Sequence, residues 1–157
     1  MNEKKIYIVT GKIQTGKTTG LFSFASNNKS VDGILAPIVD GQRRLYHISS
    51  KTLKNFEVKE HNNSTVSVGK YLFLSESFNW ANSKILESFN NSPDWLIIDE
   101  IGKLELKGEG LHRSVESVIK KVDTSTTKII LVIRDYLLNE ALELYGISDS
   151  DYEILIL

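Results

Sequence analysis

The stretch Gly11-Lys12-Ile13-Gln14-Thr15-Gly16-Lys17-Thr18 sets two glycines, a lysine and a hydroxyl residue at fixed intervals. Each position suits a polyphosphate. The glycines let the backbone wrap closely around phosphate oxygens, with the amides of Lys12, Ile13, Gln14 and Thr15 turned inward. A helix starting at the loop's end adds its positive dipole terminus. Lys17 reaches the β- and γ-phosphates, the Thr18 hydroxyl offers an oxygen to Mg²⁺, and Thr19 is placed to help hold an α-phosphate. A chain of this length matches the pattern by chance about once in two hundred.

A second stretch supplies acids. Trp95-Leu96-Ile97-Ile98 is an apolar run ending in Asp99-Glu100. Carboxylates at a buried strand end are costly unless positive charge sits beside them, and a bound Mg²⁺ supplies that charge. Asp99 is the expected metal ligand, directly or through water. Strand alternation turns Glu100 to the opposite side, where it would orient and deprotonate a water molecule. Lys103 follows closely, either stabilising transferred charge or pairing with Glu100, and Lys103 with Glu105 alternatively forms an exposed pair.

Phosphoanhydride hydrolysis also gains from a cation on the γ-phosphate. Arg43, Arg44, Arg113 and Arg134 are the candidates. Arg134 ends the apolar run Ile129–Ile133, which favours it as a γ-phosphate sensor. Arg43 or Arg44 is the expected phosphate or base contact.

These residues need a scaffold. Ile6–Val9 reads as a buried strand before the loop, and Lys17 to about Ser26 as the helix after it, with Leu21, Phe22 and Ala25 on one face. Trp95–Ile98, Ile129–Ile133 and Tyr152–Leu157 read as further strands. Between them, Phe78, Ala81, Ile85, Leu86 and Phe89 make one helical face, with Ser75 or Ser77 as N-cap. Leu111, Val115, Val118, Ile119 and Val122 make another. Leu138, Ala141, Leu142 and Tyr145 mark a last helix closed by Gly146. Apolar strands alternating with amphipathic helices predict an α/β fold around a mostly parallel sheet covered on both faces. The segment from about 33 to 74 differs. Its short runs Ile34–Val39, Leu45–Ile48, Phe56–Val58 and Val66–Leu74 are separated by turn signals at Asp40-Gly41 and Asn62-Asn63-Ser64, and Pro37 suggests an edge. It reads as antiparallel hairpins inserted into one domain spanning 1–157.

Composition narrows the chemistry. The 157 residues include 19 Lys and Arg, 20 Asp and Glu, three His and no Cys. Disulfides, thiolate metal sites and cysteine nucleophiles are excluded. His47, His61 and His112 lack metal-ligand spacing. A net charge of −1 argues against a broad nucleic-acid face but allows one phosphate pocket. Met1–Lys5 precedes no apolar stretch of signal-peptide length, and no run is long enough to span a membrane. The expected setting is the cytoplasm.

The octapeptide Asp99-Glu100-Ile101-Gly102-Lys103-Leu104-Glu105-Leu106 resembles the Asp-Glu-Ile-Gly-Lys-Met-Glu-Leu signature of the cancer-related nucleoside-triphosphatase family. Gly33–Val39 with Gly41-Gln42-Arg43-Arg44, and Val68-Gly69-Lys70-Tyr71 with Ser77-Phe78, look like two further family segments. The resemblance implies a three-layer P-loop NTPase with a RecA-like core. It also implies Mg²⁺-dependent hydrolysis of ATP, GTP and other nucleoside triphosphates with little base selectivity. On the reading of the residues above, Glu100, Lys17 and Arg134 are the expected catalytic residues. Two other outcomes fit the same motifs: a nucleotide or nucleoside kinase, or a nucleotide-binding regulatory module with little turnover.

Overall fold

Four apolar strands lie side by side and in parallel because alternate residues on each feed two different cores. The computed structural model describes residues 3–11, 16–62 and 64–157. Its strands are β1 (Ile6–Gly11), β2 (Val31–Leu35), β3 (Ile38–Val39), β4 (Gln42–His47), β5 (Thr52–Asn55), β6 (Glu57–Val58), β7 (Thr65–Val68), β8 (Tyr71–Leu74), β9 (Trp95–Ile101), β10 (Lys128–Arg134) and β11 (Tyr152–Ile154). The α-helices are α1 (Lys17–Asn27), α2 (Ser75–Asn90), α3 (Lys103–Leu106), α4 (His112–Lys121) and α5 (Leu138–Leu144). The main sheet runs β11-β1-β10-β9-β2-β4-β3, with β5 on β4, while β6-β8-β7 form a separate small sheet. Pairings from β11 through β2 are parallel, and β4 is antiparallel to β2.

Leu96, Ile98, Ile129, Leu131 and Ile133 point into one core, beneath α2, α4 and α5. Ile97, Ile130 and Val132 point into the other, covered by Leu21 and Phe22 of α1. This is the period-two alternation of strands buried on both sides. The expected three-layer α/β arrangement with a mostly parallel sheet is what the chain adopts.

Local expectations need correction at three places. Val31–Leu35 is more than a hairpin strand: one edge lies parallel beside β9, while Ile34 and Leu35 on the other pair antiparallel with His47 and Tyr46 of β4, so the antiparallel structure starts within β2. Its Gly33 has φ +121°, and a Cβ there would meet the Ile97 carbonyl oxygen at 2.1 Å, so backbone contact with β9 requires glycine. β5 is absent from the sequence reading, since Thr-Leu-Lys-Asn is exposed and lacks an apolar run. Neither Ser75 nor Ser77 caps α2. Leu74 is the N-cap, and the Ser77 hydroxyl donates to the Asn55 carbonyl, tying the helix to β5. Gly146 closes α5 as expected, one residue past Tyr145 and in the left-handed region (φ +64°). Its N–H donates to Glu143 and that of Ile147 to Leu142, the paired pattern that closes many helices.

Candidate active site

The parallel strands bring their carboxyl ends together, and the two motifs meet there. Gly11 of β1 is in register with Arg134 of β10, and β10 lies directly beside β9 with its two acids. Gly16 caps α1 with left-handed backbone (φ 80°), so Lys17 and Thr18 open the helix. Gly11, Gly16, Lys17, Thr18 and Thr19 are therefore at this edge. Lys12, Ile13, Gln14 and Thr15 lie outside the described residues.

The Thr18 hydroxyl donates to Asp99 Oδ2 at 2.8 Å across 81 residues of sequence. The same oxygen accepts the Ala36 N–H at 3.1 Å. Arg43 Nη1 donates to the Ala36 carbonyl at 2.6 Å. Loop, strand end and β4 are thus joined through one carboxylate. Asp99 is 1% exposed. Burial, then repulsion from Glu100, pushes its pKa up, opposed by the Ala36 and Thr18 hydrogen bonds and by the Arg43 charge. A carboxylate held so far from water is primed for a cation.

Between Leu131 and Ile133 the β9–β10 register slips. Leu131 pairs with Ile98 and Ile133 with Ile101, which leaves Asp99 and Glu100 opposite the single residue Val132. This bulge disrupts the expected alternation. Asp99 and Glu100 consequently border one pocket instead of opposite faces. Its volume is about 210 Å³.

Glu100 does not pair with Lys103. Its Oε1 lies 2.9 Å from Arg134 Nε, a charge contact without hydrogen-bond alignment. Burial works against the charge of Arg134, yet Glu100 and Tyr136 outweigh it and leave the guanidinium pKa raised. Of the four arginine candidates, Arg43 and Arg134 border the pocket, whereas Arg44 and Arg113 do not. Lys103 stands exposed at its rim.

Glu105 was expected on the surface and is instead 4% exposed. Its Oε1 accepts the Gly102 N–H at 2.7 Å and its Oε2 the Leu111 N–H at 2.8 Å. It binds the first turn of α3 and the start of α4 just beyond Asp99 and Glu100. Burial raises its pKa to about 7, against the pull of the Leu111 and Gly102 amides. A glutamate three residues after a helix's N-cap can reach back to the cap N–H, and that spacing could have marked Glu105 in advance, although glycine has no side chain to return the bond. The Ala36 amide had no such signal, because its role depends on where β2 ends.

The donor set fits Mg²⁺. This ion keeps several waters and uses one or two carboxylates plus substrate phosphates. Thr18 and Asp99 supply one hydroxyl and one carboxylate side by side. Among the described residues no group of three or more His, Asp or Glu forms an all-protein metal cage.

Residues 6–150 match the family model described as NTPase. The chain belongs to this NTPase family. It is 32% identical to the nucleoside-triphosphatase THEP1 of Saccharolobus solfataricus over 126 residues, covering 75% of this chain and 71% of that protein. It is 29% identical to the nucleoside-triphosphatase THEP1 of Sulfolobus acidocaldarius over 161 aligned positions, covering 97% and 89%. The crystal structure of THEP1 from the hyperthermophile Aquifex aeolicus superposes with a TM-score of 0.73 at 21% identity, covering 96% of this chain and 88% of that one. That likeness establishes the shared fold. Among the described residues no helix is long and apolar enough to cross a membrane.

Proposed function

We propose that this nucleoside-triphosphate hydrolase releases phosphate in a Mg²⁺-dependent reaction with broad base tolerance, in the cytoplasm and without nucleic acid as partner. One observation carries the mechanism: the 2.8 Å hydrogen bond from Thr18 to Asp99, which joins the phosphate loop to the strand-end acid.

The loop backbone of Gly11 through Gly16 receives the polyphosphate, and Lys17 takes the β- and γ-oxygens. Thr18 and Asp99 would hold Mg²⁺, which would neutralise phosphate charge when bound. Glu100, 21% exposed in its side chain, orients water in line with the γ-phosphorus and accepts its proton. Arg134 holds Glu100 by charge and lies where negative charge develops in the transition state. Arg43 supports Asp99 through Ala36 rather than touching phosphate. Broad base tolerance is supported by the assigned residues, all of which address phosphate, metal or water.

The test compares phosphate release from ATP, GTP, CTP and UTP, with Mg²⁺ and with chelator, for wild type, Lys17→Ala and Glu100→Gln. Turnover should need Mg²⁺, vary little among bases, and fall in both variants. Nucleotide binding should persist mainly in Glu100→Gln. Normal hydrolysis by Glu100→Gln would remove it as the base.

A further inference from the structure

The pocket at Asp99 and Glu100 is far more apolar than hydrolysis requires. Away from the carboxylates its walls are Leu45, Phe56, Tyr71, Phe73, Phe78 and Leu104. Phe56 and Phe73 stack with ring centres 4.5 Å apart, and Phe78 meets Phe56 edge-on at 4.8 Å. These rings come from the small β6-β8-β7 sheet, its flank and α2, elements that contribute none of the residues assigned above to phosphate or metal. Of the described loop residues, Gly16, Lys17 and Thr18 do not line the chamber. Its described walls are therefore built apart from the described residues of the phosphate motif. A water molecule needs only a place beside Glu100 and gains nothing from an aromatic wall. An apolar cavity of about 150 Å³ already admits benzene in another protein. This one, at about 210 Å³, has room for one ring system with a short substituent.

The charges at its inner end define the occupant further. Arg43 is committed to the Ala36 carbonyl and Arg134 to Glu100. Asp99 and Glu105 are buried acids bordering the chamber. An anion pushed inward would meet the buried acids Asp99 and Glu105, while Arg43 and Arg134 each already have a partner. Lys70 and Lys103 also border the chamber, but both are exposed to solvent.

We propose that this chamber is an acceptor site for a small uncharged alcohol carrying a flat apolar ring, whose hydroxyl takes the place of water at Glu100. The proposal rests on the assignment of Glu100 and the γ-phosphate made above. The hydroxyl oxygen attacks the γ-phosphorus and an O–P bond forms. The bond from the γ-phosphorus to the β–γ bridging oxygen breaks. The hydroxyl proton passes to Glu100, and the products are a phosphomonoester and the nucleoside diphosphate. A ring held by Phe56 and Phe73 fixes the hydroxyl at the reacting centre. Such positioning is equivalent to about 10⁵–10⁸ M of reactant, enough to compete with solvent water.

The experiment incubates the protein with ATP and Mg²⁺ plus indole-3-ethanol, benzyl alcohol, glycerol or thymidine monophosphate, and follows products by ³¹P NMR. The ring alcohols should give phosphomonoester, with an ester-to-phosphate ratio at least tenfold above that of glycerol. Val68→Trp, which fills the chamber from β7, should lower that ratio at least tenfold. If that variant fails to fold, Tyr71→Ser at the exposed wall carries the same expectation. ADP accompanied only by inorganic phosphate would overturn the acceptor role and leave the hydrolase reading standing. Equal ester from glycerol would overturn the ring site. Preferential phosphorylation of thymidine monophosphate would overturn the uncharged ligand. No ADP under any condition would overturn both readings.

Discussion

Arg134 and Glu100 lie at the ends of neighbouring parallel strands, with Nε and Oε1 2.9 Å apart. The contact sets a cation against the carboxylate proposed above to activate water. It also places that cation in register with Gly11, where the phosphate loop begins.

Arg134→Ala should therefore lower turnover more than nucleotide affinity. Loss of one transition-state charge contact costs about 10²-fold or more in rate. Nucleotide affinity should change by less than about tenfold, because the loop and Lys17 remain. Steady-state phosphate release together with nucleotide titration separates the two effects. Unchanged turnover would take Arg134 out of the mechanism.

Asp99→Asn should uncouple function from stability. The amide keeps an acceptor for Thr18 and Ala36 but brings no negative charge, so the Mg²⁺ concentration giving half-maximal turnover should rise about 10–100-fold. Removing a buried carboxylate whose pKa is already raised should leave the melting temperature equal or higher. A Mg²⁺ titration and a thermal melt check the pair. A fall in both metal use and melting temperature would make Asp99 a structural residue.

Glu105→Ala should destabilise the protein by about 2–5 kcal/mol, since the Gly102 and Leu111 amides lose their acceptors. Proton linkage gives a second signature. The folded pKa, about 7, lies above the ordinary 4.5, so between these values the folded state holds the extra proton. This contribution is fully present below about 4.5 and is lost as pH rises through about 7. Relative to Glu105→Gln, wild type should thus lose stability across that window, by at most on the order of 3 kcal/mol. Denaturant unfolding of both proteins between pH 4.5 and 7.5 measures it, and a pH-independent difference would refute the shifted carboxyl.

His47 predicts the opposite slope. It is 3% exposed, bonded to Ser50 and Ser88, and 3.3 Å from Asp32. Burial pushes its pKa below the ordinary 6.5, against the pull of Asp32. The unfolded chain then binds the proton more readily. The His47 contribution is present above about pH 6.5 and is lost as pH falls below it. His47→Gln should remove this stability loss between pH 7 and 5.5, as read by urea unfolding. An unchanged pH profile in the variant would assign the slope to another group.

Much of the site was legible because its chemistry is local. Gly11 to Thr18 is one continuous stretch whose residue types and spacing suit a polyphosphate, and Asp99-Glu100 closes an apolar run that reads as a buried strand. The alternation of β1, β9 and β10 with α2, α4 and α5 followed from periodicity, since two-sided burial and amphipathic faces are written residue by residue. The parallel placement of β2 was not legible, because Gly33 earns its position only through contact with the Ile97 backbone.

Long-range contact decided the rest. Only the fold brings Thr18 within 2.8 Å of Asp99 and hands Glu100 to Arg134 in place of Lys103. Only the β9–β10 register reveals the bulge that sets both acids at one pocket. Only packing turns Glu105 from a surface charge into a buried cap and closes Phe56 and Phe73 into an aromatic wall. The sequence by itself determined the glycine-lysine-threonine motif, the acid pair and the layered sheet, because short-range spacing and burial patterns specify them. The tertiary structure determined which charges are partners and what lies beyond Asp99 and Glu100, because those contacts join residues tens of positions apart.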